Sequence, residues 1–242
     1  MFCFQTSDRR VGVVFTDRLG GVSAPPYDSL NLGTASQDDP ASVAQNYALV
    51  GSAIGVGHDR IALMHQMHGR EVAVVREPPP ADRLPEADAM VTDQPGLALS
   101  VRVADCVPVL LADVDAGVVG CAHAGRNGLT LGVVSHAVEV MRELGAGEIR
   151  AWVGPHVCGG CYEVPEEMQQ EVASVAPESR STTTWATPGL DIGAGVEAQL
   201  RAAGCTVSDT PRLCTRENHD LYSHRRDGPL AGRSAGLVWL RA

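Results

Sequence analysis

A chain of 242 residues has enough apolar volume for a substantial core, in one large domain or two small ones. Its net charge of −10 excludes a general binder of nucleic acid or anionic membrane, which needs a basic face. No apolar run approaches the roughly 20 residues that cross a bilayer. Aromatic residues make up only 4%, so aliphatic side chains must fill the core. The N-terminus, Met1-Phe2-Cys3-Phe4-Gln5-Thr6-Ser7-Asp8, lacks the basic region and apolar run of an export signal. Seven cysteines in such a chain read as free thiols or metal ligands in a reducing cytoplasm, not as a disulfide framework.

Strand and helix patterns then alternate along the chain. Strand-like runs cover Gly12–Phe15, Glu71–Val75, Leu97–Val101, Val107–Ala112, Val118–Ala122, Ile149–Val153 and Leu237–Leu240. Asp39-Pro40 followed by Val43, Tyr47, Val50 and Ile54 predicts a capped helix stopped by Gly55. Leu131, Val134, Val138 and Met141 predict a second helix ending at Gly145. Pro165 opens a third with Met168, Val172 and Val175, and Ile192, Val196, Leu200 and Ala203 form a fourth before Gly204. The proline-rich stretch from Pro78 to Pro85 is too short for a linker. The expectation is an α/β fold, one domain over residues 1–242, with mixed sheets flanked by helices.

The chemistry is concentrated in a central hairpin. Ala104-Asp105-Cys106-Val107-Pro108 leads into one strand, Asp113-Val114-Asp115-Ala116 turns, and Gly117 to His123 returns. If Ala112 pairs with Gly117, Cys106 lies directly opposite His123, with Cβ atoms roughly 4.5–5.5 Å apart on one face. A one-residue slip removes that meeting, and Pro108 disfavours a central strand. Thiolate and imidazole are the donors zinc selects, and a catalytic site adds one more ligand and leaves a position open. His65 and His68, in Met64-His65-Gln66-Met67-His68-Gly69, are the candidates for that ligand. An isolated Cys106 would otherwise be a small buried hydrophobe. Cys158-Gly159-Gly160-Cys161 reads as a second metal clip, a redox pair, or two reduced cysteines in a glycine-rich loop. Arg225-Arg226 with Arg233 is the obvious local basic site for a small phosphate.

Short blocks along nearly the whole chain resemble the YfiH, or laccase-domain, family. They are Phe15-Thr16-Asp17-Arg18-Leu19-Gly20-Gly21-Val22-Ser23, Ser29-Leu30-Asn31-Leu32-Gly33, Gln66-Met67-His68-Gly69, and Ala104-Asp105-Cys106-Val107-Pro108-Val109-Leu110-Leu111. Ala122-His123-Ala124-Gly125, Gly154-Pro155, Cys161-Tyr162-Glu163-Val164, Cys214-Thr215, Tyr222 to Gly228 and Gly232-Arg233 follow in family order. Arg126-Asn127 stands where the family usually has Trp-Arg. The resemblance implies a zinc ion, with copper as the alternative, held by His68, Cys106 and His123, which would also be the catalytic residues. It implies phosphorolysis of adenosine, inosine and methylthioadenosine, and deamination of adenosine, with purine nucleosides and phosphate as partners.

Asn31, Gln66, Arg225 and Arg226 are the candidate substrate and phosphate contacts, and Glu163 is a further polar candidate. Arginine suits phosphate because its planar fork binds oxyanions bidentately. Two other readings fit the same residues, and one is a non-catalytic metal-binding or redox-sensing module. Cys106 with His123 as base would make a cysteine hydrolase or amidase acting on peptide-like substrates. Polyphenol oxidation, which the laccase name suggests, needs several copper sites rich in His-x-His pairs, and none of the eight histidines are spaced by two. A cytidine-deaminase site is disfavoured because His123 is followed by Ala124-Gly125 and not by x-Glu.

Overall fold

The computed structural model describes residues 1–241, and Ala242 lies outside the described residues. The strongest apolar segments become the central strands. β2 (Val11–Thr16) and β13 (Ser234–Leu240) are buried along their whole lengths, as expected of strands covered on both faces. They pair antiparallel in a five-stranded sheet in the order β1 (Phe2–Asp8), β2, β13, β6 (Ala98–Val103), β3 (Ile61–Ala62). The second sheet has six strands, in the order β12 (Thr206–Val207), β9 (Arg150–Val153), β7 (Val107–Asp113), β8 (Val118–Ala124), β5 (Ala89–Thr92), β4 (Val72–Val74). A two-stranded ribbon of β10 (Arg180–Thr182) and β11 (Pro188–Leu190) lies apart from both.

Side-chain alternation sorts these strands into layers. Val13, Phe15, Leu99 and Val101 of the first sheet pack between the sheets against Met90, Leu110, Cys121 and Trp152 of the second. The opposite face of the first sheet, with Val14, Leu237 and Trp239, is covered by Val43, Tyr47 and Val50 of α1 (Pro40–Ile54). The far face of the second sheet, with Val109, Leu111 and Ala122, carries α3 (Val133–Glu143) and α5 (Ile192–Ala202) through Val134, Val138, Val196 and Leu200. The result is a helix–sheet–sheet–helix stack, an α/β fold with mixed sheets flanked by helices. Among the described residues no helix is long and apolar enough to cross a membrane.

The capped first helix forms where its signals place it: Asp39 accepts from the Ala41 and Ser42 amides, and Gly55 closes the end at φ 72°. The helix expected from Leu131 to Gly145 is instead two elements. Gly132 adopts φ 75°, ending α2 (Arg126–Leu131) and starting α3, and this leaves Leu131 exposed and outside the core. α4 (Glu166–Val175) begins just after Pro165, and α6 (His224–Asp227) is one short turn with no apolar period to announce it.

The central hairpin departs from the expected register by two residues. Asp113 pairs with Val118 and Pro108 with His123. The turn keeps its expected length but sits one residue further along the chain, where Gly117, at φ 68°, returns its N–H to the Asp113 carbonyl at 3.0 Å. The Asp113 carboxylate meanwhile accepts from the Asp115 and Ala116 amides at 3.0 and 2.9 Å. Because the slip is even, it leaves every side chain on its expected face. Cys106 therefore meets His123 diagonally and not directly across. Pro108 is accommodated beside the strand's first residue, where a missing ladder donor is tolerated.

Gly132→Ala should cost about 1–2 kcal/mol in urea unfolding, because a Cβ there meets open space and only the left-handed backbone opposes it. A cost near zero would show that the α2–α3 break does not depend on that conformation.

Candidate metal centre and cleft

The site begins with a buried carboxylate. Asp88, immediately before β5, is fully buried and accepts from the amides of Met67, His68 and Gly69 at 3.0, 3.0 and 2.7 Å. Three consecutive N–H groups converge on one acid only because the backbone turns sharply, and His68 takes φ 60° to make that turn. The same carboxylate binds Nδ1 of His123 at 2.8 Å. That contact puts the Nδ1 proton toward Asp88 and leaves Nε2 of the buried His123 as a ligand atom. Burial pushes the Asp88 carboxyl up, but the bonds from His123, Gly69 and Met67 outweigh it and hold the pKa below the ordinary carboxylate range.

Cys106 is aimed by a second buried acid. Asp105, at φ 88°, accepts from Thr215 Oγ1 and the Arg225 amide at 2.6 Å each, and its carbonyl accepts from the Val157 amide at 3.0 Å. These contacts tie the β6–β7 connection to two distant loops. Sγ of Cys106 then lies 4.0 Å from Nε2 of His68, and the His68 and His123 rings meet edge to face at 4.7 Å. The ligand atoms of His68, Cys106 and His123 all lie within 4.8 Å of one another.

Burial alone would raise the Cys106 thiol, but the neighbouring His123, with His68 behind it, brings its pKa down to about 6. Burial likewise opposes charge on His123, and the Cys106 thiolate and Asp88 raise it to about 9. The neighbouring imidazoles thus favour the thiolate form of Cys106, the form that binds a metal. One sulfur and two imidazole nitrogens are donors that zinc accepts, and tetrahedral bonds of about 2.0–2.3 Å hold such atoms roughly 3.3–3.8 Å apart. The residues present fit the ion after a small contraction. His123 is buried, Cys106 half-buried and His68 exposed, so the cluster has a closed side and an open one.

The open side faces a cleft of about 530 Å³, within the usual range for small-molecule sites. Its polar wall includes Arg102, Arg126, Arg225, Arg233, His65 and His224. Of the expected substrate contacts, Arg225 lines the cleft, stacked 4.4 Å over the Tyr162 ring and donating to the Glu163 carbonyl at 3.0 Å. Gln66 also lines it, but its amide is paired with the Arg102 backbone at 2.8 and 2.9 Å. Asn31 is fully buried behind the wall. It donates to Ser36 and Asp38 and accepts from the amides of Gly33 and Arg233. Arg226 lies outside the cleft lining. Its guanidinium is used on the carbonyls of Thr215, Asn218 and Leu221 and on Asp227. Glu163 also stands outside the lining and accepts from Trp185 Nε1 at 2.9 Å.

Sequence reasoning missed Asp88 and Arg102. The one signal for Asp88 is a lone acid among small apolar residues at the start of a strand. Arg102 reads only as an interruption of the apolar β6 run, yet it binds the Met64 carbonyl and Thr34, and its buried Nε has no partner among the described residues.

Two substitutions test the centre. Asp88→Asn should weaken zinc binding about 10–100-fold in a chelator competition, because it removes the acceptor that orients His123 and closes the 67–69 turn. Gly125 has φ −80° and ψ −177°, a backbone any residue adopts, but a Cβ there would lie 3.1 Å from both Cys106 Sγ and His68 Cδ2. Gly125→Ala should therefore keep its fold by circular dichroism and lose at least about 10-fold in metal affinity. Unchanged affinity in either variant would contradict the assigned geometry.

Comparison with known proteins gives a consistent picture. A family model described as multi-copper polyphenol oxidoreductase laccase matches residues 12–241. The chain is 55% identical over 229 residues to purine nucleoside phosphorylase ORF3 of Streptomyces griseus, covering 93% of each chain. It is 39% identical to a purine nucleoside phosphorylase of Deinococcus radiodurans, covering 93% of this chain and 88% of that one. YlmD from Geobacillus stearothermophilus superposes with a TM-score of 0.86 at 28% identity over the full length of both chains. YfiH of Bacillus licheniformis gives 0.84 at 29%, covering 96% and 93%. With a family model spanning nearly its whole length and relatives above half identity, the chain belongs to the multi-copper polyphenol oxidoreductase laccase family, and it shares its fold with YfiH.

Proposed function

We propose that the protein is a zinc-dependent purine nucleoside enzyme that phosphorolyses adenosine, inosine and methylthioadenosine and deaminates adenosine. The observation that carries this reading is the His68–Cys106–His123 cluster opening onto a cleft lined by four arginines. The names of the Streptomyces and Deinococcus relatives support the nucleoside assignment. We also place the enzyme in the cytoplasm, where thiolate ligands stay reduced.

An ion held by His68, Cys106 and His123 would supply Lewis acidity and bring the acidity of water into the neutral range. The remaining work falls to the chain itself. In phosphorolysis a phosphate oxygen forms a bond to C1′ of the ribose as the bond to the purine nitrogen breaks. Arg225, held by its stack on Tyr162, and Arg233, near the cluster, present guanidinium donors that orient the phosphate. The departing purine needs a proton on a ring nitrogen, and His65 and His224 are the cleft imidazoles able to donate it. In deamination the bond from C6 to the amino nitrogen breaks as water adds, and the same imidazoles can carry the proton to ammonia.

Polyphenol oxidation is not favoured. Among the described residues the clusters able to hold a metal contain only two histidines, whereas a multicopper site needs many.

Product chromatography decides the reading. Zinc-loaded protein given adenosine should release adenine only when phosphate is present and inosine without it, and chelation should remove both activities. Cys106→Ala should lose zinc and at least about 100-fold in turnover together. If turnover of a peptide-like substrate instead survives chelation and is abolished by iodoacetamide at Cys106, the cysteine-hydrolase reading replaces this one.

A further inference from the structure

A second donor cluster lies outside this chemistry. Cys158, Cys161, Cys214 and Glu217 each offer one ligand atom, and all four atoms lie within 4.8 Å of one another. Two tight turns of the same form bring them together. In Cys158-Gly159-Gly160-Cys161, the Cys161 and Tyr162 amides donate to the Cys158 carbonyl at 2.9 and 3.0 Å. In Cys214-Thr215-Arg216-Glu217, the Asn218 amide donates to the Cys214 carbonyl at 2.9 Å. Each turn thus presents donors at its first and fourth positions, the spacing by which paired ligands grip one ion.

The turns are locked together beneath the cluster. The Thr215 amide donates to the His156 carbonyl at 3.0 Å, and His156 forms a bridge with Cys214. The Cys158 amide points at Cys214 Sγ at 3.4 Å. Cys161 is buried, and Cys158 and Cys214 are half-buried. All three are unpaired cysteines.

We propose that Cys158, Cys161, Cys214 and Glu217 form a second, structural zinc site that clamps the loop after β9 to the loop before α6. Three thiolates select a soft or borderline ion, and a carboxylate oxygen completes four-coordination, which closes the site to substrate. The clamp has a purpose in the fold. Thr215, next to Cys214, holds the Asp105 carboxylate that aims Cys106. Tyr162, next to Cys161, carries the Arg225 guanidinium. A zinc ion here would fix the wall of the cleft from behind while taking no part in the reaction, and it does not depend on which substrate the cleft accepts.

The test uses the full chain with the first centre removed by His68→Ala and Cys106→Ala together, so the second cluster is untouched. After washing with a weak chelator, the double variant should hold about one zinc per chain and the wild type about two. Cobalt should replace zinc in the double variant and give the intense near-ultraviolet band of thiolate-to-metal charge transfer. Adding Cys158→Ser and Cys161→Ser should abolish both signals. Zinc absent from the double variant, no charge-transfer band, or a disulfide among Cys158, Cys161 and Cys214 found by alkylation before and after reduction would each overturn the proposal.

Discussion

A carboxylate sealed inside the protein is tolerated only when its lone pairs are filled, and Asp88 is filled from two directions at once. From one side come the three amides of the 67–69 turn, and from the other the imidazole of His123. The acid therefore joins a loop to the end of β8 and fixes two of the three candidate metal ligands with a single side chain. Without it, the left-handed backbone at His68 would have nothing to offset its cost of about 1–3 kcal/mol. Asp105 plays the matching part for Cys106, drawing on Thr215 and the Arg225 amide. Two buried acids, each spent on backbone and orienting contacts, leave the donor atoms pointing at a common space.

The layered fold determines where that space is. Cys106 and His123 project from the face of the second sheet that packs against the first, but they stand at its end, where apolar packing gives way to polar walls. The wall is built by segments far apart in sequence, from Thr34 through Arg102 to Arg225 and Arg233. A concentration of arginines in a chain of net charge −10 is a local feature made by folding. The sandwich supplies His123 from β8, and loops at its end supply His68 and Cys106.

Much of this was legible in the residues because the informative signals were local. The Asp39-Pro40 cap and the Gly55 stop mark α1 without ambiguity, and the apolar runs of β2, β7, β8 and β13 are continuous because both faces are buried. The meeting of Cys106 with His123 survived a wrong register, since an error of two residues preserves the face of every side chain. What escaped notice depended on distant partners. Asn31 and Arg226 look like substrate contacts until the fold surrounds them with backbone groups and neighbouring side chains that occupy their donors and acceptors. Asp88 looks like any acid at a strand end until the 67–69 turn closes over it. Gly132 looks like a tolerated helix residue, and its left-handed turn is visible only once α2 and α3 diverge. The clustering of Cys214 and Glu217 with Cys158 and Cys161 likewise lies beyond any local spacing.

The most direct measurement is anomalous diffraction at the zinc edge from crystals of the zinc-loaded protein. The geometry predicts a peak about 2.0–2.3 Å from His68 Nε2, Cys106 Sγ and His123 Nε2, with the ion's remaining position facing the arginine-lined cleft. Crystals at full zinc loading with no anomalous density among these three atoms would contradict the assignment of this cluster as the protein's reactive metal centre.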